Sequence, residues 1–394
     1  MYSTSVHNNH EKIVSFQPEK QSLYEDVVTY TNPITEETVY KLKNIKDLIA
    51  IIPYSEEDVL DAEYLSNALN LTSNPIQYSV CRRNKFFMQE RIKELGLRGI
   101  IQKLCGTEND IIQFVENNAL EKYVIKPIDS SSTEDVYVCS SLDELTTKFQ
   151  TIIGKINSFG IKNENVLVQE YIEGDEWIIN TSSRNGIHKI VNVYKYKKAK
   201  INNRDFVYLE MKLMDSNEIN RELIMYAVNV LNALEFHNGS GHAEIKMTKT
   251  GPCLIEIGAR TGGLQNTNVL HKCIGYSQIE TNIYSYCSEE KFNTIPLLYK
   301  CKDLKGNCFC LVNYYDNIVW KSAYLNELLE SLTNTLTLED CNIMVKDGST
   351  INKTIDLITI IGEIYVTSEK EENLLKAEKL IREWEQNLKN ISNV

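Results

Sequence analysis

HAEIKMTKTGPCLIEIGARTGG, running from His242 to Gly263, decides how this chain is read. It divides into two short apolar segments around a turn. The first carries Glu244 between Ala243 and Ile245, and the second, Cys253-Leu-Ile-Glu-Ile257, is apolar except for Glu256. The linker Thr248-Lys-Thr-Gly-Pro252 has the Gly-Pro of a turn. An antiparallel pair of this kind sets Glu244 beside Glu256. Two carboxylates at close range repel unless a cation or proton lies between them. Hard divalent ions take oxygen ligands of this type together with nucleotide phosphates. Gly258-Ala-Arg260-Thr-Gly-Gly263 follows, a guanidinium with small residues that suits an anionic reacting group close to the backbone. Taken alone, a polar hairpin with two solvated glutamates explains the stretch equally well.

Composition bounds the alternatives. The 394 residues suffice for two or three domains around substantial cores. Hydrophobic residues make up 42% and charged residues 24%, ordinary for a soluble globular protein. A net charge of −12 argues against a nucleic-acid partner. No apolar run is long enough for a transmembrane helix and the start shows no secretory h-region, so a cytoplasmic protein with no membrane partner is expected. The ten cysteines include no CxxC, which points to reduced and mostly buried thiols. Six histidines without an HExxH argue against a zinc enzyme.

Read in order, the chain opens with a polar segment, Met1 to Lys12, expected to be disordered. Ile45 to Ile52 reads as a buried strand ending at Pro53, and Ser55-Glu-Glu57 caps a helix with Val59, Leu60, Leu65, Ala68 and Leu69 inward. Ligands of such α/β units sit beyond the strand's end, here Pro53 to Glu57, but a glycine fingerprint is missing. Arg82-Arg83-Asn84-Lys85 opens a helix over Phe86–Leu95 that stops at Gly96. Basic residues at a helix start oppose its dipole unless they meet an anion. Tyr123-Val-Ile125 is a strand leading to Lys126-Pro127, a Ser-rich turn and a returning strand, Val136–Val138. Lys126 with this turn could clamp phosphates, although the Walker A spacing is absent. In Val166–Ile172 and Glu173–Trp177, the polar Gln169, Glu170 and Glu176 interrupt buried strands and need partners such as an adenine edge and a ribose. Asn185-Gly186 is a hairpin turn. Tyr194–Lys200 is basic and reads as a loop, mobile over anionic ligands or simply solvated. Ser216 caps a helix with Ile219, Leu223, Ala227, Leu231 and Leu234 inward. Ser368 caps a final helix with Leu374, Leu375, Ala377, Ile381, Trp384 and Leu388 as its apolar stripe.

Lys85, Lys126 with its small-residue loop, VQEYIEGDEW, Glu244, Glu256 and Arg260 fall in an order that resembles the ATP-grasp superfamily over about residues 45 to 276. GHAEIKMTKTGPCLIEIGARTGG, and VYKYKK preceding an FVY segment, are similar to its carboxylate–amine ligases of the L-amino acid ligase type. The resemblance implies an α/β (α+β) ATP-grasp fold with a short N-terminal α/β domain, a central lid and a C-terminal mixed-sheet domain. The expected divisions are 1–80, 81–185, 186–290 and 291–394.

The same resemblance implies ATP and Mg²⁺, with Mn²⁺ as an alternative, small-molecule carboxylate and amine substrates, and a homodimer as one option. Lys85 and Lys126 would contact phosphates, and Ser130, Ser131 and Ser132 would belong to the loop closing on them. Gln169 would meet the adenine amino group, with Glu170, Tyr171 and Ile172 in the hinge and Glu176 at the ribose. Lys198 would be a further anion contact. Glu244 and Glu256 would ligate the metal, and Arg260 would stabilise the transferred phosphoryl group. The chain departs from the pattern at Gly258, where many relatives place an Asn ligand, in its serine loop, and in lacking a clear first strand. A carboxylase or purine-pathway type, or a nucleotide-binding regulator that has lost turnover, are the alternative readings.

Overall fold

The computed structural model describes residues 2–7, 11–16, 27–31, 34–130, 133–157 and 160–392. Strands β1 (Tyr2–His7), β2 (Glu11–Phe16), β3 (Val27–Thr31) and β4 (Ile51–Pro53) form an N-terminal sheet in the order β3-β2-β1-β4. Of the segment expected to be disordered, Tyr2–His7 and the residues from Glu11 onward are strand. This segment supplies the first strand that the sequence did not reveal, with β1 parallel to β4. Parallel pairing joins segments far apart in sequence, so no local pattern announces it. The strand expected over Ile45–Ile52 begins only at Ile51. Ser55 and Asp58 then form a capping box ahead of the helix Val59–Ala68, whose inward face carries Ala62 and leaves Leu60 exposed.

A second sheet contains β5 (Gln102–Cys105), β6 (Tyr123–Pro127), β7 (Tyr137–Cys139) and β8 (Val166–Glu170), ordered β5-β8-β6-β7. Its apolar face packs on the helices Glu108–Asn117 and Leu142–Ile152.

The largest sheet has eight strands. They are β9 (Asp175–Arg184), β10 (Ile187–Ile201), β11 (Arg204–Leu213), β12 (Gly239–Thr248), β13 (Gly251–Gly258), β14 (Lys305–Leu311), β16 (Thr337–Ile343) and β18 (Gly362–Ser368). Between the later strands, β15 (Ile318–Val319) and β17 (Thr350–Ile351) form a separate small pair. The order is β13-β12-β9-β10-β11-β14-β18-β16, so one sheet runs across the divisions expected near 185 and 290. Turn chemistry fixes two of its hairpins. Asn185 and Gly186 have φ of 50° and 76°, and Asn202 and Asn203 have φ of 51° and 62°. Two consecutive positive φ values match the twist of paired strands. Tyr194–Lys200 is consequently part of β10 rather than a loop, with Tyr194 and Tyr196 buried.

Two helix caps also differ from expectation. Asn220, not Ser216, caps the helix Arg221–Ala233, because Ser216 belongs to a preceding 3₁₀ turn. The last helix, Glu371–Ile391, starts after Lys370; Ser368 instead accepts hydrogen bonds from Lys370 N and Asn373 Nδ2. Its stripe packs on β14 and β18 around Trp320 and Trp384, but Leu375 faces solvent. All ten cysteines are free thiols. Among the described residues, no helix is long and apolar enough to cross a membrane.

The basic cluster at 82–85 is divided between two tasks. Arg82 is fully buried and makes a bidentate pair with Glu63, Nε to Oε1 at 2.8 Å and Nη2 to Oε2 at 2.7 Å. Its Nη1 donates to Leu234 O at 2.8 Å, at the C-terminal end of Arg221–Ala233. Arg83 pairs with Asp129. These clamps place the start of the helix Lys85–Glu94, capped by Asn84. Removing one partner of a buried ion pair strands the other charge. Arg82→Ala is expected to lower unfolding free energy by about 3–5 kcal/mol in chemical denaturation. A loss within the range of an exposed pair would show that the clamp is not a stabilising element.

Candidate active site

The two glutamates meet by backbone pairing. β12 and β13 are antiparallel, with Glu244 directly opposite Glu256 and a register shift just beyond. Opposed residues on adjacent strands share a face. Both carboxylates line a cleft of about 510 Å³ walled by the β5–β8 sheet on one side and the eight-stranded sheet on the other. That volume suits a ligand of nucleotide or drug size.

Each carboxylate has lysine company. Lys85 Nζ lies 3.4 Å from Glu256 Oε2 and donates to Ser130 O at 2.6 Å. Lys198 Nζ is bonded to Glu176, sits 3.8 Å from Glu244 Oε2 and lies 4.2 Å over the Tyr208 ring. Burial alone would depress the Lys198 ammonium, but Glu176 and Glu244 outweigh it and hold it above the ordinary lysine range. Burial would raise Glu256, but Lys85, Lys126 and Lys198 hold it well below the usual carboxylate range. Glu244 goes the other way: burial, reinforced by Glu176 and Glu256, pushes it up against the pull of Lys198. Burial pushes Lys126 down to about 8, helped by Lys85 and opposed by Glu256.

The remaining expected residues line the same cleft. Ser130 is buried in it, whereas Ser131 and Ser132 lie outside the described residues. Gln169 is buried, its Nε2 donating to Gln102 Oε1 at 2.8 Å. Glu170 Oε1 accepts from Ile101 N at 2.9 Å, and Tyr171 lies beneath Lys122 and Lys246. Ile172 O accepts from Lys246 Nζ at 3.0 Å. Arg260 Nε is 2.9 Å from Glu56 Oε2, and its Nη1 donates to Thr261 O at 2.8 Å.

Sequence reasoning missed Glu56, His242 and Lys246. Glu56 comes from the segment after β4, where a ligand position was expected but no residue assigned. A Cβ at Gly258 would meet its Oε2 at 2.8 Å, so Glu56 fills space beside the glycine that stands where the resemblance leads one to expect Asn. His242 lies two residues before Glu244 and shares its side of β12, a period-2 signal that was available. Burial, aided by Arg260, depresses its imidazole to about 3. Lys246 repeats the same spacing after Glu244.

Among the described residues no cluster of three or more His, Cys, Asp or Glu is set to hold a metal. Glu244 and Glu256 offer a pair of hard oxygen ligands, which suits a divalent ion that completes its shell from phosphates and water.

Residues 120–268 match the family model of the ATP-grasp domain. Dapdiamide A synthase of Enterobacter agglomerans is 35% identical over 245 residues, 62% of this chain and 58% of that protein. The L-arginine-specific L-amino acid ligase of Bacillus subtilis is 21% identical over 268 residues, 66% of this chain and 64% of that protein. Each match thus spans less than two thirds of the relative. The crystal structure of L-amino acid ligase from Bacillus licheniformis superposes with a TM-score of 0.69 at 15% identity, covering 88% of this chain and 82% of that one. Residues 120–268 are therefore an ATP-grasp domain, and the chain that carries them has the ATP-grasp fold.

Proposed function

We propose that the protein is an ATP-dependent carboxylate–amine ligase that joins amino acids or amino-acid-like substrates and releases ADP and phosphate. One observation carries the reading: Glu244 and Glu256 are opposed on adjacent strands, with Lys85, Lys126 and Arg260 facing the same cleft. The names of the two relatives, a synthase of dapdiamide A and an amino acid ligase, support this chemistry.

A carboxylate is a poor acyl donor. Transfer of the γ-phosphoryl group forms a bond from a carboxylate oxygen to phosphorus and breaks the bond to ADP. The amine nitrogen then attacks the acyl carbon, the bond to phosphate breaks, and the amine proton leaves to solvent. Lys85 and Lys126 would hold the transferring phosphates, and Arg260 would neutralise charge on the phosphoryl group and the tetrahedral intermediate. Gln169 to Ile172 would hold the base and Glu176 the ribose. A divalent ion, Mg²⁺ or Mn²⁺, held by Glu244 and Glu256 would supply Lewis-acid polarisation of the phosphates.

The charges in the cleft are arranged for exchange. Lys85 and Lys198 now stand near Glu256 and Glu244. A bound metal–nucleotide would give the lysines phosphate partners and the glutamates a cation, so no charge is stranded. Gly258 does not remove the pair of ligands on which this rests.

Supplying the protein with ATP, Mg²⁺ and pairwise pools of amino acids should release ADP only when two substrates are present. Arg260→Ala and Glu256→Gln should each lower kcat about 10²–10³-fold. Release of ADP with bicarbonate as the acceptor, or full turnover by Glu256→Gln, would contradict the proposal.

Nucleotide binding should also take up a proton under alkaline conditions. The free Lys126 amine is largely neutral above about pH 8. A polyanion raises its pKa, so the bound form is protonated where the free form is not. Calorimetry in two buffers of different ionisation enthalpy should show uptake above that pH, little uptake near neutrality, and none in Lys126→Met. Equal uptake at both pH values would remove Lys126 from the phosphate site.

A further inference from the structure

Gln169 is held from behind by a second amide. It sits on β8 directly opposite Gln102 of β5, and its Nε2 donates to Gln102 Oε1 at 2.8 Å. Gln102 Nε2 in turn donates to Phe86 O and to Glu90 Oε1, each at 2.9 Å. Lys93 Nζ, 2.6 Å from the same Glu90 oxygen, holds that carboxylate in place. Phe86, Glu90 and Lys93 all belong to Lys85–Glu94, so the helix that carries Lys85 also holds Gln102. Of Phe86, Glu90, Gln102 and Gln169, the last alone lines the cleft.

The acceptors decide which way both amides face. A backbone carbonyl can only accept, so the Gln102 nitrogen must face Phe86 O. Turned over, Gln102 would set its oxygen against both the Phe86 carbonyl and the Glu90 carboxylate. Its Oε1 is thereby left for Gln169, which must answer with Nε2. Gln169 Oε1 has no partner among the described residues and keeps some open surface. The neighbouring lining is apolar. Val124 stands opposite Gln169 on β6, and Ile100, Ile172 and Ile255 pack together in the same cleft. Such side chains suit the faces of a flat ring, whose edge then meets an acceptor at Gln169.

We propose that Gln102 is a positioning residue for base selection: by fixing the Gln169 amide with its oxygen towards the cleft, it makes the site prefer a purine with a 6-amino group over one with a 6-oxo group. The proposal rests on the reading of this cleft as a nucleotide site. A 6-amino group donates to the Gln169 oxygen. Hypoxanthine and guanine bring a carbonyl to the same place, so acceptor would face acceptor in a largely desolvated setting. Without Gln102 the Gln169 amide is free to turn over and offer Nε2 instead. Selectivity is then lost while the apolar walls stay as they are. Gln102 itself does not touch the base.

ITP isolates the 6-position, since it differs from ATP only there and in the hydrogen on the adjacent ring nitrogen. The ratio of Kd for ITP to Kd for ATP is to be measured by calorimetry with Mg²⁺, and without acceptor substrates, in wild type, Gln102→Leu, Gln102→Lys and Glu90→Leu. Wild type should favour ATP, and Gln102→Leu should lower the ratio about tenfold. Gln102→Lys can only donate. It should turn the Gln169 oxygen to itself and Nε2 to the base, and carry the ratio below that of Gln102→Leu. Glu90, part-exposed and outside the cleft lining, gives a milder variant. Glu90→Leu should lower the ratio by a smaller factor, because Phe86 O still holds Gln102. Equal weakening of both nucleotides in the Gln102 variants would make Gln102 merely structural and overturn the proposal. Should those variants fail to fold, an unchanged ratio in Glu90→Leu would overturn it. A wild type that binds neither nucleotide would remove the nucleotide reading itself, whereas binding without the predicted change in ratio removes only the role of Gln102.

Discussion

The pairing of β12 with β13 is the constraint on which the cleft depends. It places two carboxylates opposite one another in a largely buried setting, where they would repel at a cost that only nearby cations can offset. The surrounding lysines answer that demand from three separate elements: Lys85 from a helix start, Lys126 from β6 and Lys198 from β10. The two walls of the cleft are thereby tied by charge as well as by apolar packing.

The same arrangement explains why the N-terminal segment matters to chemistry far from it in sequence. Arg82 clamps Glu63 and the end of Arg221–Ala233, and so sets where Lys85 emerges. Glu56 reaches from the segment after β4 to Arg260. Under the proposed function, an arginine that meets a transient anion must be held in place without being neutralised beyond use. Its Nε meets Glu56 and its Nη1 donates to Thr261 O, so the guanidinium is held at two atoms while Arg260 still lines the cleft.

Much of this was legible in the sequence where the determinants were local. The turn between Thr248 and Pro252, with an apolar segment on either side, pointed to Glu244 beside Glu256, and the Asn185-Gly186 turn pointed to its hairpin. The residues expected at the site that are described all line one cleft. Long-range pairing was not legible. β1 beside β4 depends on contacts between segments some fifty residues apart. Tyr194–Lys200 looked like a solvated loop because its lysines hid the buried tyrosines, and because Lys198 is tolerable inside only once Glu176 and Glu244 are brought to it. The hold of Gln102 on Gln169 was invisible for a similar reason, since Glu90 and Gln102 read singly as ordinary polar residues. Ser216 and Ser368 misled because a cap depends on where the chain turns, not on residue type alone.

The proposed chemistry is activation of a carboxylate by phosphorylation in this cleft. It is tested most directly with a carboxylate substrate labelled with ¹⁸O in both oxygens, followed by mass analysis of the phosphate released. Passage through an acyl phosphate transfers one labelled oxygen to each phosphate per turnover, and that is the predicted result. Product formed with unlabelled phosphate would mean that the carboxylate oxygen never bonded to phosphorus, and would contradict the account.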